Sequence, residues 1–141
     1  VDEMRRDGAK IGSVSICSFR PFPLSALRDV LARATRVVVL EMCLAVGVGG
    51  IVSDGVRKSL SGIQLKGYTV IAGLGGRAIT RASLRQLFAD AIDDALEQVT
   101  FLDLNAEVVN AELERESAAR RTGPTAEAIL RRLGTVASHI G

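Results

Sequence analysis

The sequence predicts an α/β fold, a mostly parallel sheet with helices on both faces, and three observations lead there. Runs of β-favouring apolar residues alternate with stretches of helical periodicity. Two of those runs pass directly into glycine-rich turns, GVGG at 47–50 and GLGG at 73–76, and each turn leads towards a helix. The run RVVVL from Arg36 is continuously apolar after its first residue, as strands buried on both faces are.

The elements follow in order. Residues 1–7 favour a helix, and Gly8 closes it because glycine accepts positive φ. No capping residue precedes Asp2, so this helix is expected to begin upstream of Val1, with the first strand of the sheet before it. IGSVSICSF (11–19) intersperses Ile11, Val14 and Ile16 with small residues and predicts a strand, ended by Pro21 and Pro23. Leu24, Leu27, Val30 and Leu31 recur at helical spacing. A strand from Arg36, a helix over 51–60 and a strand over 67–72 come next. Thr80 then suits the N-cap of a helix carrying Leu84, Leu87, Phe88, Ala91 and Ile92.

After residue 98 no strand signal remains. FLDLNAEVVNAELERESAARR is mostly polar and helix-favouring, and Gly123 and Pro124 interrupt it. Thr125 can cap a short helix over 126–133, which Gly134 ends. The expected organisation is an α/β domain over 1–98 and a helical arm over 99–141 that contacts partner subunits.

Composition removes several classes of function. No apolar run reaches the ~20 residues that span a bilayer, and VDEMRRDGAK lacks the apolar core of a secretory signal. A soluble, cytoplasmic chain is the expectation. Arginine supplies 15 of the 18 basic residues, yet the net charge is only +2 and acids interleave with bases. That pattern suits solvated helix faces and protein interfaces better than a nucleic-acid surface. Arg120, Arg121, Arg131 and Arg132 flank the GPT turn and are read the same way. Cys17 and Cys43 are the two cysteines and share no CxxC spacing, which argues against a zinc or iron–sulfur cradle within the chain. Both end apolar runs and are read as small buried thiols. His139 stands alone in an apolar tail, so no general-base network and no GxSxG nucleophile is expected.

The glycine turns are the strongest functional candidates. Gly47, Gly49 and Gly50, and then Gly73, Gly75, Gly76 and Arg77, follow strands in the places where open α/β sheets gather ligands. Neither turn has the GxGxxG spacing of a dinucleotide site; Ala78 gives only a partial match, and Asp93 and Asp94 fall inside an expected helix. The reading preferred for these glycines is sharp strand-to-helix turning and close packing against another subunit, with anion binding as the alternative. Arg77 is left between a partner carboxylate, a ligand phosphate and a salt bridge at the helix entry. Glu41 ends a buried-looking strand, and pairing with an arginine is the preferred reading over a direct functional role. No catalytic, cofactor-binding or metal-binding residue is assigned.

Three segments, VDEMRRDGAKIGSVSICSFRPFP, RVVVLEMCLAVGVGG and IAGLGGRAIT, together resemble the alpha subunits of thiamine diphosphate-dependent 2-oxoacid:ferredoxin (or other acceptor) oxidoreductases. The resemblance covers roughly residues 1–92, with Ala78 where that family often has an acid. It implies a three-layer α/β/α domain like the C-terminal domain of transketolase, mainly supporting assembly. It also implies a complex holding thiamine diphosphate, Mg and iron–sulfur clusters. Its partners would be a thiamine-binding beta subunit, a gamma subunit, an iron–sulfur subunit, and ferredoxin or another electron acceptor. The length of the arm after Val99 is similar to enzymes acting on aromatic 2-oxoacids such as phenylglyoxylate, rather than on pyruvate. The rival readings are the equivalent domain of a transketolase or 2-oxoacid dehydrogenase, a stand-alone nucleotide-binding α/β module, and a DNA-binding protein.

Overall fold

Three consecutive valines, Val37, Val38 and Val39, favour extended backbone because a β-branched side chain restricts χ1 and packs well on a pleated surface. They form the middle of β1 (Arg36–Glu41) in the computed structural model, which describes residues 1–118. β1 pairs in parallel with β2 (Lys66–Ile71), Arg36 opposite Lys66 and Glu41 opposite Ile71. β2 pairs in parallel with β3 (Val99–Phe101), and the order across the sheet is β1-β2-β3.

In a parallel pair, residues in register point to the same face. Val37 and Val39 therefore share a face with Thr69. There they meet a cluster of Leu27, Val56 and Leu60, flanked by Ile16, Phe22, Leu31 and Ile63. The helices supplying that cluster are α2 (Leu24–Leu31) and α3 (Ile51–Ser59), which pack on each other. Val38, Tyr68 and Val70 point the other way. On that side the Tyr68 hydroxyl donates to Asp94 Oδ1 at 3.1 Å, just past the end of α4 (Arg81–Ile92). Leu87 and Ala91 are the buried residues of α4. Helices thus cover both faces, the three-layer α/β/α arrangement expected from the sequence. A short helix, α1 (Asp2–Arg6), is linked to α4 by Glu3 and Asp7, which pair with Arg85 at 3.5 and 3.4 Å.

Two expectations change. Residues 11–19 form no strand; the segment is irregular and mostly exposed. Alternation can keep a segment extended, but a strand also needs a neighbour for its N–H and C=O groups, and none pairs with these among the described residues. Conversely, β3 forms where no strand signal was read. Three residues cannot show a period; the edge of β2 draws them in, with Thr69 N donating to Gln98 O at 2.9 Å and Leu102 N to Ile71 O at 2.9 Å. The sheet therefore includes residues 99–101, and the first compact unit runs Val1–Asp103.

In the second unit, from Leu104, α5 (Ala106–Ala118) is capped by Asn105, whose Oδ1 accepts from Val108 N at 3.2 Å. Arg115 pairs with Glu112 one turn back. Leu104, Val108 and Leu113 are exposed. The helix expected over 126–133, the Gly123-Pro124 turn, the four arginines beside it and His139 lie outside the described residues.

At the amino ends of the strands, Asp94 gathers Arg36 (Nε 2.7 Å, Nη2 2.8 Å), Lys66 (2.6 Å) and the Tyr68 hydroxyl. Its φ of 56° is a conformation that Asp and Asn tolerate better than other residues with a side chain. The Arg36 guanidinium first, then the Lys66 ammonium, hold its carboxyl well below the usual carboxylate range. A depressed carboxylate stabilises the fold fully above the unfolded pKa, and that contribution is lost as pH falls towards the folded value. Asp94→Asn keeps the backbone preference and removes the charge. We expect it to melt below wild type at pH 7, with the gap closing below about pH 4. Thermal unfolding across pH measures this, and a gap independent of pH would show that charge is not what Asp94 contributes.

Candidate functional site

The carboxyl ends of β1 and β2 open into the two glycine loops, and their geometry starts at Glu41. This last residue of β1 is 7% exposed. Its carboxylate turns towards the first turn of α3. Oε2 accepts from Val52 N at 2.9 Å, and Oε1 accepts from Ser53 N at 3.0 Å and from Ser53 Oγ at 2.5 Å. Helix starts leave N–H groups unpaired, and a carboxylate there gains both hydrogen bonds and a favourable dipole. The sequence offers α3 no Ser, Thr, Asp or Asn cap of its own, since Gly50 occupies that place. Glu41 supplies the cap from the neighbouring strand, and it pairs with no arginine among the described residues.

Between Glu41 and α3 the chain folds into a tight hairpin. Ala45 N donates to Gly49 O and Gly49 N to Ala45 O, both at 2.8 Å. Gly47 and Gly49 take φ of 81° and 84°, a left-handed conformation open to glycine. Gly50 is needed for a different reason. Its φ is −75°, but a Cβ there would lie 1.9 Å from Glu41 Oε1. The hairpin carries apolar side chains into solvent: Val46 is 100% exposed, and Met42, Leu44 and Val48 are exposed as well.

The second loop lies alongside. Gly73, Gly75 and Gly76 all have positive φ, in a single tight turn (Leu74–Gly76) that displays Leu74. A Cβ on Gly73 would come within 3.3 Å of the Met42 methyl and 3.5 Å of Ile79 Cδ1, so the two loops touch. Arg77 donates to the backbone carbonyl of Asp103, tying this loop to the exit of β3. The salt bridge considered for Arg77 at the helix entry is not formed. α4 starts four residues beyond Arg77 and is capped by Thr80, whose Oγ1 accepts from Ser83 N at 3.0 Å.

The seven candidate residues thus fall on two adjoining loops at one end of the sheet. Asp94, weighed as a ribose ligand, lies at the opposite end and is taken up by Arg36, Lys66 and Tyr68. Cys17 and Cys43, read as buried, are both exposed and free. No three His, Cys, Asp or Glu side chains gather for a metal among the described residues. A shallow hollow of about 280 Å³ lies away from the loops, between α3 and the sheet, lined by Val39, Val56, Leu60, Thr69 and Val99. Sequence reasoning missed the role of Glu41. The available signal was an acid closing an apolar strand ahead of a helix that lacks a cap.

The fold and this end of the sheet define a class: an open parallel α/β domain with two glycine loops displaying apolar residues at the strand exits. Residues 1–84 match the family described as pyruvate:ferredoxin oxidoreductase core domain II. The chain belongs to that family. Subunit PorA of the pyruvate synthase of Thermotoga maritima is 36% identical over 98 residues, which cover 68% of this chain and 25% of that protein. PorA of Methanothermobacter thermautotrophicus is 31% identical over 87 residues, 62% of this chain and 22% of that protein. Subunit VorA of the ketoisovalerate oxidoreductase of Pyrococcus horikoshii is 31% identical over 94 residues, 64% of this chain and 23% of that protein. The chain therefore spans about a quarter of the length of these relatives.

Proposed function

We propose that this domain serves assembly in the alpha subunit of a thiamine diphosphate-dependent 2-oxoacid:acceptor oxidoreductase, docking a second subunit through the two glycine loops and supplying no reacting group. The observation that carries this is the pairing of displayed apolar side chains with helix starts already filled. Val46, Met42, Val48 and Leu74 face solvent. The N–H groups that could have held a phosphate are taken at α3 by Glu41 and capped at α4 by Thr80. Apolar loops of this kind favour a protein partner over an anion. The relatives are named as subunits, which supports a partner polypeptide.

When bound elsewhere in the complex, thiamine diphosphate with Mg supplies decarboxylation chemistry, and iron–sulfur clusters carry the electrons to ferredoxin or another acceptor. Neither group is assigned to the described residues of this domain, because the start of α3 is filled by Glu41 and that of α4 is capped by Thr80. Their contribution is to bury apolar surface and to hold the alpha subunit in place against the thiamine-binding, gamma or iron–sulfur subunits. No helix among the described residues is long and apolar enough to cross a membrane.

Val46→Asp tests the reading, because Val46 is fully exposed. We expect stability within about 0.5 kcal/mol of wild type. An unpaired charge forced into an apolar interface should weaken assembly of the full complex by roughly 100-fold. Sedimentation of the reconstituted complex and its 2-oxoacid-dependent reduction of the acceptor are the measurements. Wild-type assembly and turnover would reject the docking role. The same complex offered pyruvate and phenylglyoxylate identifies the substrate, and turnover of pyruvate alone rejects the aromatic reading, which rests on the length of the arm after Val99.

A further inference from the structure

Both glycine loops are fastened at one residue. The Glu41 carboxylate binds Val52 N, Ser53 N and Ser53 Oγ, closing the far end of the hairpin that Glu41 itself begins. The Glu41 backbone carbonyl accepts from Ala72 N at 3.0 Å, one residue before Gly73 begins the second loop. Gly50 leaves the carboxylate its room, since a Cβ would fall on Oε1. Next along the chain, Met42 reaches the Gly73 loop. Among the described residues the backbone of the hairpin is also held by the short Ala45–Gly49 bridge and its turn, and Val46 at its tip is fully exposed. Glu41 thus joins the two ends of the hairpin, its exit from β1 and its entry into α3.

We propose that Glu41 is the positioning residue of the docking face, holding the two glycine loops in the single arrangement that a second subunit of the oxidoreductase recognises. This rests on the docking role proposed above. A carboxylate is required rather than an amide. Two backbone N–H groups and a hydroxyl converge on the two oxygens, and a glutamine would turn an NH2 group towards one of those donors. Loss of an anchor removes preorganisation, so the loops must pay an ordering cost when the partner binds.

The test is made in the reconstituted full complex with Glu41→Gln, Ser53→Ala and Val46→Asp. Glu41→Gln is expected to leave the alpha subunit folded, to speed hydrogen exchange within 42–53, and to weaken subunit association about tenfold. Activity at limiting concentration should fall and then recover as the partner subunit is raised, with KM for the 2-oxoacid unchanged in the recovered complex. A merely structural defect would lower the folded fraction and would not recover in that way. Ser53→Ala removes one of the three contacts and should show the same pattern more weakly, including where Glu41→Gln fails to fold. If Glu41→Gln, or Ser53→Ala in its place, associates as wild type while Val46→Asp does not, this inference is wrong and the docking role stands. If Val46→Asp also associates as wild type, both fall.

Discussion

Gly50→Ala is expected to destabilise the chain by about 2–3 kcal/mol, through Glu41 rather than through the backbone. At φ −75° and ψ 132° an alanine is sterically at home on the backbone, so conformational freedom is not the issue. The added Cβ would stand 1.9 Å from Glu41 Oε1 and 2.9 Å from Ser53 Oγ. The tip of a glutamate can swing away at small steric cost. Doing so leaves Val52 N, Ser53 N and the buried Ser53 hydroxyl without their acceptor, and losing hydrogen bonds to a charged group is costly. A drop of roughly 10–20 °C in Tm follows for a domain of this size. The double-mutant cycle isolates the cause: with Glu41 already replaced by alanine, Gly50→Ala should cost almost nothing. An undiminished cost in that background would place the effect in the backbone.

What the sequence revealed divides along the line between local and distant causes. α2 was readable because Leu24, Leu27, Val30 and Leu31 recur at helical spacing, although Leu27 alone of them is buried. Thr80 was readable as a cap because its partner, Ser83 N, is three residues away. β1 was readable because its valines and leucine form an unbroken apolar run, and β2 because its β-favouring residues pass straight into a glycine turn. β3 was not, since its three residues take their conformation from β2. Nor were 11–19, whose alternation says nothing about whether a neighbour exists.

The site follows the same division. All seven candidate positions were visible as glycine clusters with an arginine, and the structure brings them to one end of the sheet. Their anchor was not visible. Glu41 reaches Val52 and Ser53, 11 and 12 residues on. Asp94 reaches Lys66 and Arg36, 28 and 58 residues away. An acid's partner across a fold leaves no period and no spacing in the chain. The cysteines erred for a related reason: an apolar neighbourhood in sequence suggested burial, but Cys43 follows the strand exit, where the chain leaves the core.

Gly55→Ala reverses a familiar sign. In the interior of an ordinary helix, replacing glycine by alanine gains about 1 kcal/mol. Gly55 lies inside α3, and a Cβ there would meet the end of the Phe22 ring, with Cζ at 2.5 Å and Cε1 at 2.6 Å. A phenyl ring has no flexible tip to withdraw. It can only move as a body, and Phe22 packs against the Leu27, Val56 and Leu60 cluster while meeting Phe19 edge-on at 6.0 Å between centroids. We therefore expect Gly55→Ala to destabilise by about 1–3 kcal/mol, the range for overpacking a core. Phe22→Ala alone should also destabilise, by removing an aromatic side chain from that cluster. In the Phe22→Ala background the ring is gone and the helix preference returns, so adding Gly55→Ala should now stabilise by about 1 kcal/mol. Urea denaturation of the four chains measures the cycle. If Gly55→Ala stabilises the wild-type chain, the ring does not stand against α3 and the packing of the RPFP turn must be redrawn.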